Sequence, residues 1–413
     1  MKKNTLQKKT GAAEETAAAV KTSHILLRLL RAKQPVSRIE LAEHVGFNRS
    51  TVTDMFKPLI AADVIREQPT ADEAASQGRP RINLVLNDSD NFFVGVNLGV
   101  RHSQVGLATL SGEILSEAEF ETPAAPAETL ALIRKHIEEL CGKITGRTLR
   151  TIGVSVPGLT DAQRRRLLYA PHLDWHDVAI ADALEFSSGS ETEKTAVPVI
   201  VENNATAAAM YEAHLKMRDS GDGLINNFIL VRSGTGIGVG LVLDGEVYRG
   251  SGRDRGIAGE FGHMTIVADG KSCVCGNRGC WEKYASASSA STLYTGERNR
   301  LGNNKPPRFV EIVERAEAGE IRARRTLERI GEYLGIGIAN VIMGVGVSHV
   351  IVSGRLVYGW KFINEPLKKM IERSIVGKLP GWTIECGEPK GSALGGAIEV
   401  AIEEFLAQGL TNS

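Results

Sequence analysis

Apolar positions in the first ninety residues recur at helical spacing, and from Asn91 onward they switch to short alternating runs. Between Thr22 and Ala32, the residues Ile25, Leu26, Leu29 and Leu30 share one helical face. Pro35 and Ser37 then interrupt the chain. Ser37, with Glu40 three positions later, forms a capping box that opens a second helix carrying Ile39, Leu41, Ala42 and Val45. Gly46-Phe47 supplies a tight turn, and Asn48 stands at the cap position of a third helix. That helix has Val52, Met55, Phe56, Leu59 and Ile60 on its apolar face, with Asn48, Arg49, Ser50, Thr51 and Thr53 at its exposed start. Pro58 falls inside it, where the missing N–H costs about 3 kcal/mol or forces a kink.

Helix, glycine turn and helix make the pattern of a helix-turn-helix, whose second helix enters the major groove by its N-terminal residues. After it, "DVIREQ" and "RPRINLVLN" alternate as two strands of a wing, joined by a polar loop from Pro69 to Gly78. Arg79 and Arg81 are placed to meet phosphates. The competing reading is a small helical interaction module with a solvated polar face.

Beyond Asn91, "FFVGVNLG", "QVGLATLS" and "EILSEAEF" read as a three-stranded meander, followed by a helix from Ala127 to Cys141. The apolar run "RTIGVSVPG" then predicts a buried strand ending in a turn. A second copy of this theme starts near Asn226 with "NFILVRSGTGIGVGLVLDGEVY". Two similar halves, each a sheet flanked by helices, place a cleft between them. The expected division is a flexible N-terminus (1–20), a winged helix-turn-helix (21–88), a first lobe (91–200) and a second lobe (201–390). A C-terminal helix (392–408) is expected to pack back onto the first lobe.

Charge sharpens this division. The 413-residue chain is neutral overall, yet residues 1–86 hold 14 Lys and Arg against 9 Asp and Glu. That positive surplus agrees with a nucleic-acid-facing region. No apolar run approaches the roughly 18 residues of a membrane span, and Glu14 and Glu15 interrupt the basic start where a secretory signal would be apolar. A cytoplasmic location is expected. There, clustered cysteines favour a metal over a disulfide.

Three of the five cysteines fall within "CVCGNRGCWEKYAS", spaced C-x-C-x4-C at Cys273, Cys275 and Cys280, with His263 ten residues upstream. Three thiolates and an imidazole make a closed tetrahedral set, suited to structural zinc. A redox element remains the alternative, although C-x-C lacks the C-x-x-C spacing of common dithiol sites. Cys141 and Cys386 read as isolated buried thiols.

The segments "GIAGEFGH" and "CVCGNRGCWEKYAS" resemble the signature of the ROK family of repressors and sugar kinases. With the helix-turn-helix and "GRPRINLVLN", the similarity covers nearly the whole chain and is nearest to repressors of the xylose and N-acetylglucosamine kinds. The resemblance implies an N-terminal winged helix-turn-helix, mainly α, followed by a two-lobed α/β actin-like, sugar-kinase (RNase H-like) fold. It also implies that His263 joins the cysteines on zinc, and that Glu260, His263 and Glu282 contact sugar hydroxyls.

In active kinases of this family the base is the aspartate of an Asn-Asp pair. Here Asn203 matches the asparagine and Asn204 stands in place of the aspartate. The family's Asp-x-Gly-x-Thr phosphate loop becomes Asn97-Leu98-Gly99-Val100-Arg101, while the second loop, Gly234 to Gly238, keeps its glycines. Loss of a general base commonly costs 10²–10⁴ in rate.

The resemblance therefore implies a sugar-responsive repressor rather than a kinase. A dimer or tetramer would bind double-stranded operator DNA, and a sugar bridging Asn203 and Asn204 with Glu260, His263 and Glu282 would release it. An active sugar kinase with an accessory DNA-binding domain, and a module controlled by a protein regulator, are the rivals. Arg101, Arg232, Arg253 and Arg255 leave open a phosphorylated or acidic effector.

Overall fold

The computed structural model describes residues 24–69, 82–190, 193–219, 226–251, 256–296, 306–387, 389 and 392–411. The expected flexible N-terminus, 1–20, lies outside them. The chain opens with α1 (residues 24–33), then β1 (Val36–Ser37), α2 (Arg38–Val45), α3 (Arg49–Ala61), β2 (Ile65–Pro69) and β3 (Ile82–Leu86). The three strands form one antiparallel sheet in the order β1-β3-β2. The capping box is formed: the Glu40 N–H donates to Ser37 Oγ at 3.3 Å, and the Ser37 N–H to Glu40 Oε2 at 2.8 Å. Strand β1, which pairs Val36 with Leu84, is absent from the sequence reading because two residues leave no alternation to detect. Pro58 sits exposed within α3, which continues past it to Ala61. The carbonyl it deprives of a donor is therefore within reach of water.

The first lobe has the meander β4 (Asn91–Asn97), β5 (His102–Ala108) and β6 (Ile114–Glu121), then α4 (Pro126–Cys141) and β7 (Thr148–Val156). Short strands β8 (Leu159–Thr160), β9 (Leu167–Ala170) and β10 (Trp175–Val178) follow, with α5 (Ile180–Ala183) and the hairpin β11 (Phe186–Ser190) and β12 (Glu193–Val197). Strand β13 (Val199–Asn203) then feeds directly into α6 (Asn204–Asp219). The main sheet runs β13-β7-β4-β5-β6, with β13, β7 and β4 parallel.

The second lobe repeats this plan. Its meander is β14 (Phe228–Ser233), β15 (Ile237–Leu243) and β16 (Glu246–Tyr248). Helices α7 (Glu282–Ala285), α8 (Ala287–Thr295), α9 (Phe309–Glu317) and α10 (Ile321–Val345) follow, and then β17 (His349–Gly354), α11 (Trp360–Glu372) and β18 (Thr383–Cys386). The sheet runs β16-β15-β14-β17-β18, again with its last-formed strands parallel to the first.

The final helix, α12 (Ser392–Thr411), crosses the first sheet. Gly153 permits this approach, since a Cβ there would fall 2.2 Å from the carbonyl oxygen of Ala397. Helices α12 and α6 meet at Gly396, where a Cβ would sit 2.8 Å from the Ala207 carbonyl carbon.

The N-terminal head does not keep a core to itself. Leu26, Leu27, Leu29 and Leu30 are fully buried in one apolar cluster with Phe56 and Leu84 of the head, and with Phe93, Ile398 and Ile402 of the lobes. Helix α1 is therefore covered on more than the single face its periodicity predicts. Its charged residues are buried as well. Arg31 pairs with Glu399 at 2.6 Å, both side chains 2% exposed. Arg28 reaches Glu403 at 3.1 Å and donates to the Gly245 carbonyl at 2.6 Å. His24 lies 3.0 Å from Glu403 and 3.7 Å from Glu246. Among the described residues, no helix is long and apolar enough to cross a membrane.

Candidate functional site

The ends of β13, β14 and β17 open onto a cleft of about 340 Å³, in the position where open α/β sheets bind ligands. Asn203 ends β13 and caps α6: its Oδ1 accepts from the Ala205 N–H at 2.8 Å and the Thr206 N–H at 3.3 Å. Its Nδ2 donates to the Gly158 carbonyl at 3.0 Å and to Glu260 Oε1 at 3.4 Å. Most of this amide's capacity is thus used in holding strand, helix and Glu260 together. Asn204 lines the cleft, and its side chain takes part in no hydrogen bond among the described residues.

Glu260 and His263 lie on one short 3-10 turn that brings both into the cleft wall. Burial, with the nearby Glu282 charge, pushes the Glu260 carboxyl up to about 7. His263 faces two ways: its Nε2 is 3.9 Å from Glu260, and its Nδ1 is 3.6 Å from the Cys273 sulfur. Glu282 is buried, accepting from Cys273 at 3.2 Å and lying 3.3 Å from His172 Nε2. Burial works against its charge, but the contacts with His172 and His263 hold its carboxyl below the usual range.

The structure thus brings Asn203, Asn204, Glu260, His263 and Glu282 to one cavity and adds His172, which the sequence reading missed. His172 follows Pro171 in the turn after β9 and is 110 residues from its partner Glu282, so no local spacing connects them.

The donor atoms of His263, Cys273, Cys275 and Cys280 all lie within 4.8 Å of one another. The Cys275 and Cys280 sulfurs are 3.7 Å apart, against the edge of about 3.8 Å for a tetrahedron with ~2.3 Å metal–sulfur bonds. A disulfide bond would need about 2.05 Å, and the cysteines are free. The loop folds back at Gly279 (φ +76°), where a Cβ would collide with the Val267 carbonyl oxygen at 1.8 Å. Burial pushes the Cys273 and Cys280 thiols up, a cost that a bound cation offsets by taking thiolates. These four residues fit a tetrahedral metal ion.

In the first glycine loop, the Asn97 amide donates to Gln104 Oε1 at 3.2 Å and accepts from Ser155 Oγ at 3.2 Å. On the head, Asn48, Arg49 and Ser50 are exposed at the start of α3, and Thr51 and Thr53 are half-buried. Thr53 is turned back on its own helix, donating to the Arg49 carbonyl at 2.9 Å. Asn48 holds the cap position without a side-chain cap bond. Arg79 and Arg81 lie outside the described residues.

A winged head on two lobes of duplicated topology, facing each other across a cleft, defines an actin-like fold of the sugar-kinase type with a regulator's N-terminal extension. The chain belongs to the ROK family, whose model matches residues 93–403. The xylose repressor of Bacillus subtilis is 29% identical over 372 residues, covering 89% of this chain and 90% of the repressor. Among solved structures, a ROK family transcriptional regulator homologous to the E. coli MLC protein superposes with a TM-score of 0.74 at 26% identity, over 96% of this chain and 98% of that one. A ROK family glucokinase from Streptomyces griseus, in complex with glucose and AMPPNP, matches at TM-score 0.62 and 25% identity, covering 75% of this chain and 99% of that one. The repressor and regulator matches cover more of this chain than the glucokinase match does.

Proposed function

We propose that this protein is a sugar-responsive transcriptional repressor, bound to operator DNA through α3 and the wing and released by a ligand in the cleft. The observation that carries the reading is the path of α6. It begins in the cleft at Asn204 and runs for 16 residues, about 24 Å, to end against the head, where Lys33 of α1 donates to the Arg218 carbonyl at 3.0 Å. A change at the cleft therefore reaches the DNA-binding end through one rigid element. Helix α1 also holds both lobes, through Glu399 and Glu403 on α12 and through Gly245 and Glu246 at the β15–β16 turn. Lobe closure changes the spacing of these anchors and shifts the head. The coupling needs only the usual 1–3 kcal/mol.

In this reading Asn48, Arg49, Ser50, Thr51 and Thr53 meet the major groove, Arg79 and Arg81 meet phosphates, and a cytoplasmic homodimer or homotetramer presents two heads to a pseudo-palindromic site. Zinc is the ion for His263, Cys273, Cys275 and Cys280, and it fixes Glu260 and Glu282 against the sugar. Turnover is absent. Asn204 has no basic oxygen to accept a proton at neutral pH, and Asn97 offers magnesium no carboxylate.

The test is promoter-fragment binding followed by fluorescence anisotropy across a panel of sugars and sugar phosphates, with Mg-ATP assays alongside. One effector should weaken DNA binding by about 5–150-fold, and Arg28→Ala should bind that effector yet lose the DNA response. Phosphoryl transfer at ordinary kinase rates, roughly 1–100 s⁻¹, would overturn the reading. DNA binding that no small molecule alters would instead assign control to a protein regulator.

A further inference from the structure

Glu202 stands directly before Asn203 at the end of β13, with its side chain 3% exposed. One carboxylate oxygen, Oε1, accepts from the Asn203 N–H at 3.1 Å, so the group sits immediately behind the cleft. The other, Oε2, is shared by guanidiniums from different lobes. Arg249, which follows β16 in the second lobe, donates to it through Nε at 2.6 Å. Arg164, in the turn between β8 and β9 of the first lobe, brings its Nε to 3.2 Å from the same oxygen.

The two contacts are unequal. Arg249 is aligned on Glu202, and its Nη2 also reaches the Met210 sulfur on α6 at 3.4 Å. Burial disfavours its charge, but Glu202 outweighs burial and the guanidinium is raised. Arg164 is misaligned: its Nε and Nη2 are buried and form no hydrogen bond among the described residues. Burial, with the like charge of Arg249 added to it, holds this guanidinium below its usual range in spite of Glu202 and Glu404. The backbone nevertheless keeps Arg164 there, at φ +57°, a left-handed conformation uncommon for arginine. Its N–H donates to the Asp161 carbonyl at 3.0 Å, and its carbonyl accepts from the Val201 N–H of β13 at 2.8 Å. Arg164 Nη1 pairs with Glu404 of α12 at 3.1 Å. Next to Glu404, Glu403 holds Arg28 and His24 of the head. These residues and Arg249 line one cavity of about 120 Å³ where head and lobes meet. A buried carboxylate requires a cationic partner. Glu202 has one on each lobe, so relative movement of the lobes exchanges its partners rather than stranding its charge, which is the property of a two-state element.

We infer that Glu202 is the positioning residue that couples the cleft to the head. It holds Arg249 while the head is set for DNA, and it passes to Arg164 when a ligand at Asn203 and Asn204 changes the angle between the lobes. The transfer draws Arg164 off Glu404 and so disturbs the part of α12 on which α1 is anchored. This inference rests on the reading of the protein as a ligand-released repressor.

The experiment is anisotropy titration of the full-length, metal-loaded protein with the promoter fragment, first without sugar and then with D-xylose, D-glucose or N-acetyl-D-glucosamine. Without sugar, Arg249→Gln should weaken DNA binding by about fivefold or more, the lower end of ordinary coupling, and Arg249→Lys should restore part of the loss. Arg164→Gln removes a contact to the same carboxylate, yet it should retain sugar-free DNA binding and lose the sugar response. A sugar that acts on the parent should bind Arg249→Gln more tightly, because the coupling is reciprocal. Equal weakening in Arg249→Gln and Arg164→Gln would show a merely structural role and overturn the inference. Unaltered DNA binding in Arg249→Gln, or a full sugar response in Arg164→Gln, would overturn it as well. If none of the sugars acts on the parent, the sugar reading fails, and the sugar-free comparison of the two variants still decides the role of Glu202. Absence of DNA binding by the parent would overturn both.

Discussion

Helices α6 and α12 do the same structural job in the two lobes and have been put to different uses. Each lies across a five-stranded sheet of the same topology, and each lets glycines of that sheet approach its backbone: Gly240 against Ala205 for α6, Gly153 against Ala397 for α12. They also pack on each other at Gly396 and Ala207. Yet α6 presents its first turn to the cleft and its last to the head, whereas α12 carries Glu399 and Glu403 as buried anchors for the cations of α1 and the half-buried Glu404 for Arg164 of the first lobe. A duplicated scaffold supplies two packed helices, and the charges on one of them connect it with the head.

The comparison is broken most severely at α12. Replacing Glu399 by alanine leaves Arg31 buried without its partner and should cost about 3–5 kcal/mol, read by urea unfolding. A loss below 1 kcal/mol would mean that the pair is not an anchor. The α6–α12 contact comes next. Gly396→Ala pushes a methyl into the Ala207 backbone and should cost about 1–3 kcal/mol despite better helix propensity. At Gly395→Ala the nearest atoms to the new Cβ are those of the Tyr211 ring, the first at 2.6 Å, a side chain rather than backbone. It should cost less than Gly396→Ala, and equal losses in the two variants would show that the contact is not governed by backbone approach.

The smallest effect is on pH. Burial disfavours a charged His24, but its contacts with Glu246 and Glu403 outweigh that, and the imidazole is raised from 6.5 to about 9. Arg28, beside it, opposes the shift. A raised folded value means that the stabilisation is fully present below about 6.5 and is lost as pH rises through about 9. Thermal unfolding of the parent should therefore fall over that window more steeply than that of His24→Gln. Parallel curves would remove His24 from the junction.

The sequence by itself determined whatever depends on near neighbours. The capping box at Ser37 and Glu40, the turn at Gly46, the meanders of both lobes and the three clustered cysteines follow from spacings of a few residues, because turns, strands and tight loops are satisfied locally, while His263 was added to the cysteines by the family resemblance. The Asn203-Asn204 pair and the altered loop at Asn97 were legible only through the resemblance to the ROK motifs. Tertiary structure alone decided the rest. Periodicity gave α1 one apolar face, while the fold buries Leu27 and two arginines as well, since the partners of α1 are 368 residues away at Glu399 and 217 at Gly245. His172 joined the cleft, and Arg355 came to stand beside Arg232, through strand pairing that no local pattern encodes. A buried charge is compensated by whatever the fold brings against it, so its partner is set by topology rather than by spacing along the chain.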